Sequence, residues 1–207
     1  MNNTRITLIR KALELFTQKG ISGVQAKEIA AAAGAVPNAI TYHFGGLAGL
    51  IDAVWEYALS NFDCSELEQY CKENHHLLNS SDGKRQYVTE IIGILFQILS
   101  SKSDSALVNR FLMTTSVTQE GRDKIKKNIS TGLIQNLMQI YLDITGDKDS
   151  ESAFAWVLTL AGGAVIYSVN ADLYENVFPD GKLPVSSYGR IQYITVRNAL
   201  FSLGLMP

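Results

Sequence analysis

The 207 residues carry 18 basic and 20 acidic side chains, a net charge of −2, and 46% of them are hydrophobic, ample for a core in one large domain or in a small head on a medium body. The N-terminus MNNTRITLIRK has neither an apolar stretch nor a cleavage site, so no secretory signal is expected. With only Cys64 and Cys71 besides, a reduced, cytoplasmic protein is expected rather than a disulfide framework.

Charge is unevenly spread. Residues 1–50 hold Arg5, Arg10, Lys11, Lys19 and Lys27 against Glu14 and Glu28, a net of +3, and the remaining residues stand at −5. A positive head on an acidic body suits a protein that meets a phosphate backbone with its head alone.

In chain order, Leu8, Ile9, Ala12, Leu13 and Phe16 recur at helical spacing after Thr4, a candidate N-cap, and Gly20 stops the helix. The stretch KEIAAAAGAVPNAITYHFGG, Lys27 to Gly46, then reads as two short helices around a tight turn. Ile29, Ala30 and Ala33 form an apolar face of small side chains that lets a second helix cross closely. Gly34 supplies the permissive backbone for the turn. Pro37 suits the first turn of the next helix, whose Val36, Ile40 and Phe44 recur every four residues and are expected to face inward. That leaves Asn38, Thr41, Tyr42 and His43 outward, groups that reach base edges and phosphates in a major groove. An ordinary Ala-rich helical hairpin would show the same turn, so the glycine alone decides little.

Further along, Leu50, Ile51, Val54, Ala58 and Phe62 predict a long fourth helix from Gly46, with CSELEQYCKENHHLL as a polar helix end. Cys64, Cys71, His75 and His76 lack zinc-knuckle spacing, so no metal is expected. Helices follow at Val88–Leu99, Leu107–Val117, Gln119–Ile144, Ser150–Val177 and Ser187–Leu203, with Pro179–Pro184 as a rigid connector. Residues 152–171 carry no charge, yet Asp147, Asp149, Glu151, Asp172 and Glu175 flank them with acid and Gly162, Gly163 and Thr159 interrupt them. A helix buried between the protein's own core and a second copy is expected, and no membrane. No strand pattern competes, so the fold is expected to be all-α. No Ser-His-Asp order or paired carboxylate marks an enzyme, and no cofactor is expected.

Taken together, residues 4–50 resemble the N-terminal DNA-binding domain of the TetR family of transcriptional regulators. The pattern A-L-E-L-F-x-x-x-G is matched by Ala12 to Gly20, I-A-x-A-A-G-V by Ile29 to Ala35, and Y-x-H-F with its glycine by Ile40 to Gly45. Two positions depart. Thr41 stands where the family usually has Tyr, with Tyr42 beside it in a Y-H-F-G-G turn, and Leu47 and Ala48 replace a Lys-Glu pair, removing a phosphate-contacting cation.

The resemblance implies a three-helix helix-turn-helix domain over 1–46 and a helical ligand-binding and dimerisation bundle over 47–207. It implies a homodimer on a pseudo-palindromic double-stranded operator, a repressor controlled by a small-molecule effector of unknown identity. DNA contacts are expected from Lys27, Val36, Pro37, Asn38, Thr41, Tyr42 and His43 within a recognition helix over 36–43. An effector pocket is expected around Phe96, Arg110, Phe111, Met113, Tyr141 and Tyr167. A dimer seam is expected on the last two helices at Trp156, Leu160, Gly163, Ile166, Ile194, Leu200 and Phe201. A DNA-binding module without a ligand, or a helical enzyme, are the rival readings.

Overall fold

The computed structural model describes the backbone of residues 2–100, 104–128, 132–170, 177–182 and 184–206. Among the described residues all regular structure is helical, as the periodicity predicts. The helices fall into two compact units, one over residues 1–62 and 102–129, the other over 63–101 and 130–207.

The first unit holds α1 (Asn2–Lys19), a 3-10 turn (Ile21–Gly23), α2 (Ala26–Ala32), α3 (Ala39–Phe44), α4 (Leu47–Ser60), α7 (Asp104–Thr115) and α8 (Gln119–Asn128). Leu8, Ile9, Ala12, Leu13 and Phe16 line one face of α1 and are fully or almost fully buried. They meet Ile29 and Ala30 of α2, Ile40 of α3, and Leu50, Val54 and Trp55 of α4 in one apolar cluster. Val108, Phe111 and Leu112 of α7 complete that cluster, with the Phe111 ring 4.8 Å from the Trp55 ring in an edge-on arrangement. Helix α7 is far away in sequence, so packing draws the unit's edge well past the 1–46 segment that reads as the DNA-binding domain.

The second unit holds α5 (Ser65–Glu73), a 3-10 turn (His75–Asn79), α6 (Ser81–Ser100), α9 (Gly132–Thr145), α10 (Ser150–Asn170) and α11 (Ser187–Ser202). Its core is built on α6, whose Tyr87, Val88, Ile91, Ile92 and Phe96 are buried against Leu137 and Ile140 of α9 and Trp156 and Leu160 of α10. Polar ends are tied down by long-range bonds: Tyr87 Oη donates to the Cys71 carbonyl at 3.1 Å, Tyr188 Oη to the Phe96 carbonyl at 2.6 Å, and Arg85 Nη1 to the Leu205 carbonyl at 3.2 Å. By length and composition, residues 150–167 of α10 could cross a membrane. Here Ala153, Trp156, Val157, Leu160 and Ala164 of that helix bury one face in the unit's core.

Several boundaries differ from the sequence expectation; α6, for one, starts at Ser81 rather than at Val88. Helix α1 begins at Asn2, so Thr4 sits inside its first turn rather than capping it. The CSELEQYCKE segment is a separate helix, not the end of the fourth: Asn61 closes α4 with its side-chain amide on the Tyr57 carbonyl at 2.8 Å, and Asp63 Oδ1 accepts the Ser65 N–H at 2.8 Å to start α5. Short polar side chains that compete for backbone groups end one helix and begin the next. Finally, the stretch 119–144 is divided between α8 and α9, which belong to different units, with residues 129–131 outside the described backbone.

Candidate nucleic-acid interface

The candidate site grows from the closure of α2. Gly34, at φ +62°, ends the helix. Its N–H donates to the Ala31 carbonyl at 3.1 Å and the Ala35 N–H to the Ala30 carbonyl at 2.9 Å, the paired bonds of a Schellman closure. A side chain at position 34 would disfavour this left-handed backbone, so the glycine sets where the chain turns toward α3. At its other end α2 is capped by Glu28, whose Oε2 accepts the Gln25 N–H at 2.8 Å and whose Oε1 pairs with Lys19 Nζ of α1 at 2.9 Å. That backbone bond first, and the Lys19 ammonium second, hold the Glu28 carboxyl below its ordinary range.

Helix α3 is regular from Ala39 to Phe44, with Pro37 and Asn38 in a turn that winds into it. The Ala39 N–H donates to the Val36 carbonyl at 2.9 Å and the Tyr42 N–H to the Asn38 carbonyl at 3.0 Å. Pro37, lacking an N–H, sits where no donor is called for. The expected recognition element is therefore a three-residue turn plus a six-residue helix, shorter in regular structure than the continuous helix expected over 36–43.

Burial sorts its faces. Ala39 and Ile40 are buried, and Phe44 is half-buried under Arg5, whose guanidinium carbon lies 5.2 Å from the ring centroid. Pro37, Asn38, Thr41 and Tyr42 are exposed, and Lys27 is exposed on α2. Tyr42 is 77% exposed, and its ring meets His43 edge-on at 4.9 Å, with His43 itself half-buried. The inward reading of Val36 is overturned: it is 70% exposed, because the three residues before Ala39 are a turn and do not continue the four-residue helical face. Val36 thus joins the outward group as an apolar side chain, of the sort that meets a thymine methyl.

Of the five basic side chains in the head, Lys11 and Lys19 are paired internally with Glu14 and Glu28. Fewer cations than the raw count suggests are available to phosphate. Arg5, placed beside the recognition element by Phe44, is a candidate that sequence reading missed, since the signal is a cation over a ring 39 residues away. After α3, Gly45 at φ +73° and Gly46 at φ +132° turn the chain into α4, and Leu47 and Ala48 open that helix with half-buried and exposed side chains.

The expected effector residues divide between the two units. Phe111 is fully buried in the core of the first unit, against Trp55; Arg110 beside it is exposed and Met113 half-buried. Phe96, Tyr141 and Tyr167 belong to the second unit. Phe96 and Tyr167 are linked through Tyr188, whose ring lies 5.2 Å from one and 5.3 Å from the other, while the Tyr141 ring lies tilted 5.7 Å from that of Trp156.

The expected seam residues divide as well. Trp156 and Leu160 are buried within their own unit, and Gly163 is where α10 and α11 touch, with Ile191 Cγ2 only 2.8 Å from the position a Cβ would take. Ile166, Ile194 and Phe201 are 52%, 54% and 75% exposed, and Leu200 is half-buried. Exposed Phe154, Leu158 and Tyr193 join them on the outer faces of the two helices.

Comparison with known proteins places this geometry. Residues 8–54 match the family model of the bacterial regulatory proteins, tetR family. The HTH-type transcriptional regulator AcrR of Shigella flexneri is 41% identical over 69 residues, 33% of this chain and 32% of that protein. The probable HTH-type transcriptional regulator YttP of Bacillus subtilis (strain 168) is 28% identical over 140 residues, 68% of this chain and 58% of that one. The chain thus spans about a third and somewhat over half of the lengths of these curated relatives. A TetR-family transcriptional regulator from Streptomyces coelicolor superimposes with a TM-score of 0.56 at 14% identity, covering 99% of this chain and 96% of that one. Apo AibR does so with a TM-score of 0.56 at 18% identity, over 93% and 96%. At such identities these two structures share the fold.

Proposed function

We propose that this chain, whose residues 8–54 match the model of the bacterial regulatory proteins, tetR family, belongs to that family and is a DNA-binding transcriptional regulator acting in the cytoplasm as an effector-controlled homodimeric repressor. The observation that carries the reading is the sorting of α3, where Ala39 and Ile40 anchor the element and Asn38, Thr41 and Tyr42 stand in solvent on the opposite face. A short element held by its apolar side and bare on its polar side fits a major groove.

In this reading residues 1–46 read DNA and residues 47–207 carry dimerisation and effector response. Asn38 and Thr41 read base edges, Val36 and Pro37 pack against the groove, and Lys27, Tyr42 and His43 hold the backbone. Dimerisation uses the exposed apolar faces of α10 and α11, at Phe154, Leu158, Ile166, Ile194 and Phe201, which are otherwise left in water. Two-fold symmetry then sets two copies of α3 about one helical turn of DNA apart, roughly 34 Å, which selects a pseudo-palindromic operator. An effector that binds the other conformation better weakens operator binding through a coupling of about 1–3 kcal/mol.

The test is selection of genomic fragments by the purified protein, followed by titration of the selected duplex with wild type and variants. Asn38→Ala and Thr41→Ala are expected to lose about 1–3 kcal/mol and to relax discrimination at single base pairs. Lys27→Ala is expected to weaken all duplexes alike and to lower the salt slope by about one. A protein that stays monomeric and prefers no duplex over random competitor at low salt overturns the proposal.

A further inference from the structure

A cavity of about 570 Å³ opens within the first unit, walled by the end of α1 and the 3-10 turn after it, the first turns of α4, and the corner between α7 and α8. Ile21, Val24, Leu47, Ile51 and Val117 supply apolar wall, and Thr17, Thr114, Thr115 and Glu120 stand among its polar members. Thr17 Oγ1 donates to the Leu13 carbonyl at 2.8 Å, Thr114 Oγ1 to the Arg110 carbonyl at 2.9 Å, and Oγ1 of the buried Thr115 to the Phe111 carbonyl at 2.6 Å. With each proton given to the helix, these oxygens have only lone pairs to offer an occupant. Among the described residues Glu120 is the one charged side chain of the lining. Its carboxylate lies 3.9 Å from Lys124 Nζ, which itself reaches Asp52 at 3.3 Å, and Arg122 is turned to the Ser116 and Val117 carbonyls; neither cation lines the cavity. Every side chain over 16–24, 47–51 and 114–120, the stretches that build the wall, is described. Volumes of a few hundred cubic ångströms with apolar walls and a few convergent polar groups suit a small organic ligand.

We propose that this cavity binds an amphiphilic primary ammonium, its aliphatic tail against Ile21, Leu47 and Ile51 and its N–H groups on Glu120 and the threonine oxygens. The commitment to a donor follows from hydroxyls whose protons are already placed on the helices. The commitment to a cation follows from the charge of the lining, one acid and no base. An ammonium brings three donors and a charge on one atom, where an alcohol brings one donor and a carboxylate none. The commitment to a tail follows from the apolar wall, since a small hydrophilic cation would leave it wet.

This site lies in the same unit as α2 and α3, and it rests on the effector reading above for the regulatory consequence alone, because binding is measured without DNA. Leu47 and Ile51 belong to the first turns of α4, against which α3 is seated, and Ile21 to the turn before α2. An occupant touching all three is placed to bias the seat of the recognition element.

The experiment titrates the full-length protein by calorimetry at neutral pH with hexyl-, octyl- and decylammonium below their micellar concentrations, and with 1-octanol and octanoate as the neutral and anionic counterparts. One site per chain is expected, with affinity rising by roughly two- to fourfold per added methylene and octylammonium preferred over both counterparts. Glu120→Gln is expected to weaken octylammonium by roughly three- to tenfold while leaving 1-octanol unchanged. Glu120→Lys, also at an exposed position, is expected to turn the preference from octylammonium to octanoate, a reversal that loss of structure would not produce. Equal octylammonium affinity in wild type and Glu120→Gln, an unreversed preference in Glu120→Lys, equal wild-type affinity for octylammonium and 1-octanol, no dependence on chain length, or no binding at all each overturn the proposal. Binding that follows the expected pattern yet leaves operator affinity unaltered keeps the site and defeats its regulatory consequence instead.

Discussion

Substituting alanine for Gly49 tests whether the seating of α3 against the start of α4 is as tight as the structure holds it. A Cβ built at Gly49 lies 1.9 Å from the Phe44 carbonyl oxygen and 3.0 Å from its carbon. The obstacle is backbone, so no rotamer change relieves it. Bringing the 1.9 Å contact out to an acceptable separation moves the end of α3 or the first turn of α4 by about 1 Å, a distortion of the size that costs about 1–3 kcal/mol in packed interiors. Alanine returns about 0.5–1 kcal/mol through its lower backbone entropy in a helix. At the middle of both ranges the clash wins, for a net loss of about 1 kcal/mol, up to about 2.5 kcal/mol, and a fall in melting temperature of roughly 2–10 °C for a protein of this size. Gly189→Ala is the internal control. It lies in α11 with nothing within 4 Å of the added carbon, so only the entropy gain remains and a stabilisation of about 0.5–1 kcal/mol is expected. Thermal melts of both variants, with fluorescence anisotropy on a selected duplex, read the outcome. Gly49→Ala is expected to bind DNA more weakly even where it is fully folded, because the displaced residue ends the recognition element. A Gly49→Ala protein that melts at or above the wild-type temperature and binds duplex normally refutes this account.

Other outcomes follow from the same geometry. Placing Asp at Ile194 or Phe201, both more than half exposed, is expected to leave the fold intact and yield monomers by sedimentation, whereas Trp156→Ala, in the core at 4% exposure, is expected to cost about 3–5 kcal/mol of stability. Phe111→Ala is expected to destabilise by a similar about 3–5 kcal/mol without acting as an effector-site lesion, because the ring packs on Trp55 in the first unit. Glu28, held below its ordinary pKa first by the Gln25 N–H and then by Lys19, contributes stability that is present above the unfolded carboxyl value of about 4.3 and fades as pH falls through the lower folded value. Melts across the acid range are therefore expected to show Glu28→Gln below wild type at neutral pH and converging with it in acid; parallel curves would remove the assigned role.

How much was legible beforehand depends on the range over which each feature is decided. The Gly34 turn, the buried stripe of α1, and the outward Asn38, Thr41 and Tyr42 were readable because a local rule governs each: a left-handed cap, a 3.6-residue period, a face left over once the apolar positions are assigned. Val36 was misread for a local reason too, since a helical period was carried through a turn that Pro37 and Asn38 had not yet closed into a helix. The separation of α5 from α4 was written in Asn61 and Asp63, whose caps compete quietly with a continuing apolar pattern.

What the chain determines by itself is its helical character, the turn after α2, and the likeness of the head to a helix-turn-helix domain, because these depend on neighbours three to five residues apart. Tertiary structure alone decided that α7 completes the first core through Phe111, that Tyr188 rather than Tyr141 joins Phe96 to Tyr167, and that Arg5 lies over Phe44. Those pairings link residues tens of positions apart, chosen by which faces bury together; an apolar period says that a face is covered, and never by what.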